Sequence, residues 1–242
     1  MSLANEIAGW IRGEIEGAGL SGAVLGLSGG IDSAVVSGLC ARAVGAEKVL
    51  GIAMPAHSAP ADIADARLIA EHWGIEYREI DLSAVFDAFL ELLPDGTQLA
   101  DANLKPRMRM LTLYHVANTL NRMVVGTGNR SELEVGYFTK YGDGGVDLLP
   151  IGSLLKVQVR ELAREMGVPA GIIERPPSAG LWEGQTDEQE LGITYEQLDA
   201  ALLAIAAGDT SEIRPEVLER VMALHRGSAH KRRPAPIFVP SD

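Results

Sequence analysis

The apolar run Ala23-Val24-Leu25 breaks into Gly26-Leu27-Ser28-Gly29-Gly30-Ile31-Asp32-Ser33, and a helical pattern follows from Ala34. Strand, glycine turn and helix in that order restrict the stretch to a unit in which a strand delivers a loop to a helix N-terminus. Two adjacent glycines let backbone N–H groups turn toward an anion, the helix offers its positive end, and the hydroxyls of Ser28 and Ser33 add donors. The loop therefore reads as a phosphate cradle. It lacks the lysine of a Walker-type loop and holds an acid instead. Asp32 repels a bare triphosphate, so it makes chemical sense with Mg2+ between carboxylate and phosphate oxygens. A plainer reading is a tight turn with Asp32 and Ser33 capping the next helix; Ser-Gly-Gly-x-Asp-Ser is more restrictive than that role requires.

Short apolar runs alternate with helical patterns along the whole chain, which predicts an α/β fold with an open parallel sheet flanked by helices. Strands are expected near 22–27, 48–54, 75–80, 122–127 and 146–150, and helices over 3–17, 32–44, 60–73, 100–120, 155–166, 195–206 and 214–226. Ligands of such sheets bind beyond the strand carboxyl ends, where the strand order reverses. In the order 3-2-1-4-5, the turn after the first strand and the turn Gly126-Thr127-Gly128-Asn129 after the fourth are neighbours. They become two walls of one nucleotide site, with Met54-Pro55 as an edge for the base.

The 242 residues suit one domain over 1–242 with a substantial core. A net charge of −12 disfavours a long nucleic acid and favours a small-molecule substrate. The one cysteine, Cys40, allows neither a disulfide nor a cysteine zinc site within the chain, and it predicts a reduced, cytoplasmic setting. Residues 1–19 read as an amphipathic helix and not as a signal peptide. No stretch approaches the roughly 18 apolar residues of a membrane span.

The second turn repeats the chemistry of the first. Thr127 can reach nucleotide oxygens, and Glu132 can supply a magnesium ligand opposite Asp32, while Asn129 or Ser131 caps the next helix. Taken alone, Glu132 equally suits an acid serving the helix dipole. Gly136-Tyr137-Phe138-Thr139-Lys140-Tyr141-Gly142-Asp143-Gly144-Gly145-Val146-Asp147 is poor core strand and good ligand-contacting loop. Lys140 suits an anion; Lys156 is a surface cation by default and a phosphate partner if its helix faces the site. Residues 176–192, with two prolines and the acids Glu183, Asp187, Glu188 and Glu190, read as a long loop able to close as a lid.

These blocks, with Leu104-Lys105-Pro106-Arg107-Met108-Arg109-Met110, Pro176-Pro177-Ser178-Ala179-Gly180-Leu181-Trp182 and His230-Lys231-Arg232, resemble in sequence and order the short, ammonia-using NAD+ synthetases, a branch of the ATP pyrophosphatases. The likeness spans residues 22–238. It implies the Rossmann-like adenine nucleotide alpha hydrolase type of fold. It implies that Gly26, Leu27, Ser28, Gly29, Gly30, Ile31, Asp32 and Ser33 hold the ATP phosphates, that Asp32 and Glu132 bind Mg2+, and that Thr127, Lys156 and Ser178 contact ATP, with Met54 joining them from its place at the end of the second strand. Arg109, Lys140, Asp147, His230 and Lys231 match positions that contact deamido-NAD+, whose pyrophosphate and nicotinate carboxylate give the cations anions to meet.

The implied reaction activates the nicotinate carboxylate as an acyl-adenylate with loss of pyrophosphate; ammonia then displaces AMP, completing NAD+ biosynthesis. Asp32 and Lys156 would serve catalysis, and Asp143 would bind ammonium or take its proton. The basic tail 226–234 would fold over the dinucleotide, and helix 100–120 would form a twofold homodimer interface. Cys40 lies on an apolar helix face, so it reads as packing and not as an amidase nucleophile. The chain departs from the family's usual residues at Ser153, Leu155 and 56–59, away from the two acids. Rival readings are another ATP pyrophosphatase, such as a GMP synthase or a tRNA-thiolating enzyme, and a non-catalytic nucleotide-binding module.

Overall fold

The computed structural model describes residues 2–182 and 184–240, so Glu183 of the expected lid lies outside it. In chain order the elements are α1 (Leu3–Gly17), β1 (Ala23–Gly26), α2 (Ile31–Val44), β2 (Val49–Ala53), α3 (Pro60–Trp73), β3 (Glu76–Glu79) and α4 (Ser83–Glu91). They continue with α5 (Gln98–Ala102), α6 (Leu104–Leu120), β4 (Met123–Val124), α7 (Arg130–Val135), α8 (Lys156–Met166) and α9 (Ala170–Ile173). The chain closes with α10 (Asp187–Leu191), α11 (Tyr195–Ala207) and α12 (Pro215–Gly227). No helix among the described residues is long and apolar enough to cross a membrane.

All strand pairs are parallel, in the order β3-β2-β1-β4. The central strands β1 and β2 are apolar throughout because helices cover both faces. Alternation then sorts their side chains. Ala23, Leu25, Val49 and Ala53 join a core with α1, α2 and α8, while Val24, Leu50 and Ile52 join a second core against α6. A third cluster, from Leu155 and Leu191 through Tyr195 and Leu198 to Val221, binds α10, α11 and α12 together beside the sheet.

The expected strand over 146–150 is reduced to one parallel bridge, Val125 to Leu148. Pro150 follows two positions later and cannot donate to a ladder. The expected helix over 100–120 is divided at Asn103 into α5 and α6. Thr97 caps α5, and Pro106 falls in the first turn of α6, where its missing N–H does no harm. Within the expected lid, Thr186 caps the short helix α10, so 176–192 is only partly loop. The helices α4 and α9 are short and had no clear sequence signal; α7 begins at the expected cap, Asn129.

Candidate active site

Both glycine turns open at the carboxyl end of the sheet, because β1 pairs β4 directly. In the first turn Gly29 takes φ +81°, and a Cβ there would stand 2.6 Å from the Asp62 carbonyl oxygen. Only glycine suits both demands. Ser33 Oγ donates to the Gly30 carbonyl at 2.9 Å, and Gly30 N–H donates to Ser28 Oγ at 3.3 Å. Gly30 is the N-cap of α2 and no side chain caps the helix, which leaves its first-turn N–H groups available to an anion. Met54, at the end of β2, lies beside Gly26, whose added Cβ would be 3.4 Å from Met54 Cε.

The two acids meet through a buried ammonium. Lys156 Nζ lies 2.5 Å from Asp32 Oδ2 and 3.4 Å from Glu132 Oε1, with the lysine side chain 2% exposed. Lys156 is therefore no surface cation; the start of α8 faces the site. Burial opposes its charge, but Asp32 and Glu132 outweigh that and hold its pKa above the ordinary lysine value. Burial pushes the Glu132 carboxyl up, Lys156 pulls it back, and Asp32 repels it, leaving it at about 7. Asn129 settles the capping alternative: it shares a capping box with Glu132 and donates from Nδ2 to Asp32 Oδ1 at 3.0 Å.

Residues from the helical cluster complete this centre; of these, the sequence did not single out Tyr195 and Asp199. Tyr195 O–H lies 3.3 Å from Glu132 Oε1 and 3.0 Å from Asp187 Oδ2, with Lys156 Nζ 5.0 Å from its ring centre. Burial and the surrounding acids push the Tyr195 hydroxyl far up, so it stays a donor. Tyr137 reaches both Asp187 and Glu190. Asp199 accepts from Ser131 Oγ and, at 2.9 Å, from Val157 N–H, while Lys156 N–H donates to Ser131 Oγ at 2.9 Å. A buried acid thus ties α7 to the first turn of α8. The Thr194–Gln197 capping box marked the start of α11, but nothing in the pattern marked Asp199 as inward-facing.

The remaining expected site residues fall into separate groups. Lys140 Nζ donates to the His230 carbonyl at 2.6 Å, and Lys231 Nζ to the Gly136 and Phe138 carbonyls at 2.8 Å each. The basic tail is therefore fastened to the 136–140 block by cation–carbonyl contacts. Asp143 accepts from Thr139 N–H at 2.8 Å. Asp147 accepts from Val124 N–H and from Tyr114 O–H, bracing β4. Arg109 donates to the Met54 carbonyl at 3.0 Å, joining α6 to the end of β2. Ser178 donates to the Gln185 carbonyl inside the lid, and Thr127 lies half-buried on the second turn. Arg175, which precedes the lid, bridges Asp62 and Asp65 next to Gly29. Cys40 is fully buried and its thiol is pushed up to about 12 by burial, as packing requires.

The model of the family described as NAD synthase matches residues 3–235. An NH3-dependent NAD+ synthetase of Archaeoglobus fulgidus is 48% identical over 97% of this chain and 95% of its own. Among solved structures, an NMN synthetase from Francisella tularensis superposes with TM-score 0.90 at 36% identity, covering 99% of this chain and 98% of that one. An NH3-dependent NAD synthetase from Campylobacter jejuni gives TM-score 0.85 at 29% identity, covering 98% and 97%. The family match and the paired turns with their two acids agree, and the chain belongs to the NAD synthase family.

Proposed function

We propose that the chain amidates deamido-NAD+ to NAD+ with ATP and ammonia, as a C–N bond-forming ligase. The carrying observation is the Lys156 ammonium held between Asp32 and Glu132, acids delivered by two neighbouring strand-end turns. A nicotinate carboxylate oxygen bonds to the α-phosphorus of ATP as the bond to the β-phosphate oxygen breaks, releasing pyrophosphate. Ammonia then attacks the acyl carbon, the bond to AMP breaks, and the surplus proton passes to a base, for which Asp143 is the candidate. No protein nucleophile is required. Positioning and charge stabilisation supply the rate: the Gly26–Ser33 loop and the α2 N-terminus hold phosphates, and Lys156 meets charge on the departing pyrophosphate.

Asp32 and Glu132 fit a magnesium ion, because their oxygens already converge on one shared cation. Among the described residues no group of three or more metal-ligating side chains converges, so phosphate oxygens and water would complete the coordination. Bound there, Mg2+ would neutralise phosphate charge. Ser178, Thr127 and Met54 would line the ATP side; Arg109, Lys140, Asp147, His230 and Lys231 would face the dinucleotide. We further propose a cytoplasmic homodimer of one catalytic domain, 1–242, supported by exposed apolar residues Val85 and Phe89 of α4 and Leu111 of α6.

The test is purified protein with Mg-ATP, ammonium and deamido-NAD+, measuring NAD+, AMP and pyrophosphate. Nicotinate mononucleotide serves as a second acceptor, since the Francisella tularensis structure is of an NMN synthetase. Stoichiometric NAD+, AMP and pyrophosphate are expected. ADP as product, or no amidation of deamido-NAD+, overturns the reading.

A further inference from the structure

Lys105 stands one turn before Arg109 on α6 and is 7% exposed. Its ammonium has three donors. Among the described residues it has one hydrogen-bond acceptor, the Leu181 carbonyl of the lid at 2.8 Å, and it lies 5.1 Å from the centre of the Phe86 ring. Neither Lys105 nor Arg109 forms an ion pair with a carboxylate among the described residues, whereas Lys156 and Arg175 each hold two. Among the described residues Arg109 donates only to neutral oxygens, the Met54 carbonyl at 3.0 Å and Ser58 Oγ at 3.4 Å.

This arrangement is expensive as a tether alone. A neutral amide would serve the Leu181 carbonyl, and burying an ammonium against one neutral acceptor leaves most of its desolvation uncompensated. Burial draws the Lys105 pKa below the ordinary lysine value and the nearby Arg109 charge adds to that, with Asp87 acting weakly the other way; Asp143 and Asp62 act likewise on Arg109 without touching it. Their location supplies a candidate counter-ion. Arg109 reaches the end of β2 at Met54, next to Gly26 of the phosphate loop, and Lys105 reaches the lid at Leu181.

We propose that Lys105 and Arg109 form an anion-binding pair under the lid, which takes an anionic oxygen of a bound nucleotide, with Lys105 joining that anion to the lid backbone at Leu181. The inference rests on the proposed function and adds Lys105 to the residues that contact substrate. The oxygen belongs either to the ATP triphosphate or to the pyrophosphate or carboxylate of deamido-NAD+.

Lys105→Gln separates the two roles, because it keeps a donor for Leu181 and removes the charge. Binding of Mg-ATP and of deamido-NAD+ is measured separately by calorimetry on wild type, Lys105→Gln and Lys105→Arg. Lys105→Gln is expected to weaken one nucleotide by about tenfold or more, a loss of about 1.4 kcal/mol, and to leave the other unchanged. Lys105→Arg should recover most of the loss. Which nucleotide suffers identifies the source of the oxygen. Unchanged binding of both, or equal weakening of both, overturns the proposal. Lys105→Met gives a second reading should Lys105→Gln not fold: it must weaken one nucleotide selectively, and the same one where both variants are measurable. NAD+ formation by the wild type judges the proposed function separately from these binding arms.

Discussion

The Asn129 side-chain amide donates to Asp32 Oδ1 at 3.0 Å across 97 positions of sequence, while its oxygen accepts the Glu132 N–H at 3.1 Å. One residue therefore aims the acid of the first turn and caps the helix carrying the acid of the second. Asn129→Ala removes both functions and should cost about 1–2 kcal/mol by denaturant unfolding. Asn129→Asp keeps a capping acceptor but sets a carboxylate against Asp32, so pyrophosphate release should fall far more than in proportion to stability. Wild-type pyrophosphate release by Asn129→Asp would refute the aiming role.

Lys156 is the cation that makes two neighbouring acids tolerable. Lys156→Met should destabilise the protein by about 3–5 kcal/mol, the usual cost of stripping a buried charge pair of one member. Millimolar Mg2+ should restore part of the lost melting temperature if Asp32 and Glu132 accept a divalent ion in place of the ammonium. The same addition should do nothing for Lys156→Met combined with Asp32→Asn. Equal responses of the two variants to Mg2+ would argue against an ion at the acid pair.

Asp199 touches neither acid, yet it fixes the chain on either side of the site through Ser131 and Val157. Asp199→Asn keeps the size and loses the charge-assisted contacts, so Lys156 should lose its alignment. Steady-state kinetics should show kcat down by roughly tenfold, about 1.4 kcal/mol in the barrier, with the KM values little changed. A change confined to KM would mean that Asp199 acts on substrate binding instead.

Gly29 and Gly167 share φ +81°, but only Gly29 meets a neighbour, the Asp62 carbonyl, since nothing lies within 4 Å of a Cβ at Gly167. Gly167→Ala should therefore cost only the left-handed backbone penalty, about 1–2 kcal/mol. Gly29→Ala should cost more and should also weaken ATP binding, because the loop must shift away from α3. Equal stability losses, with ATP affinity intact in both, would show that the loop's packing against α3 is unimportant.

Legibility in the sequence followed the range of the interactions. The two turns could be read because strand, glycines, acid and helix are consecutive, and their proximity followed from parallel-sheet topology, now seen as the β1–β4 pairing. Lys156 was ambiguous because its burial is decided elsewhere, by Tyr195 and Asp199 some 40 positions on, whose helix packs across it. Asp187 read only as one of several acids of the lid, and its place at the centre depends on the distant Tyr137 and the next helix's Tyr195. Lys140 of the 136–147 block and Lys231 of the basic tail were recognisable as cations, but their backbone-carbonyl partners carry no sequence signature.

Cys40 gives a pH test independent of the site. Its thiol sits in the sheet-facing core of α2, where burial raises the pKa from 9.0 to about 12. Between pH 9 and pH 12 the folded state keeps a proton that the unfolded chain releases, so the thiol's contribution to stability falls as pH rises through that window. Cys40→Ala lacks this dependence and, at neutral pH, should be about 1–2 kcal/mol less stable for its small cavity. The stability gap between wild type and Cys40→Ala should therefore narrow from pH 9 upward in denaturant unfolding and then reverse sign before the top of that window. An aromatic disulfide reagent at pH 8 should label the native protein only at the rate at which it opens. Rapid stoichiometric labelling, or a gap that stays constant with pH, would show that the thiol reaches solvent.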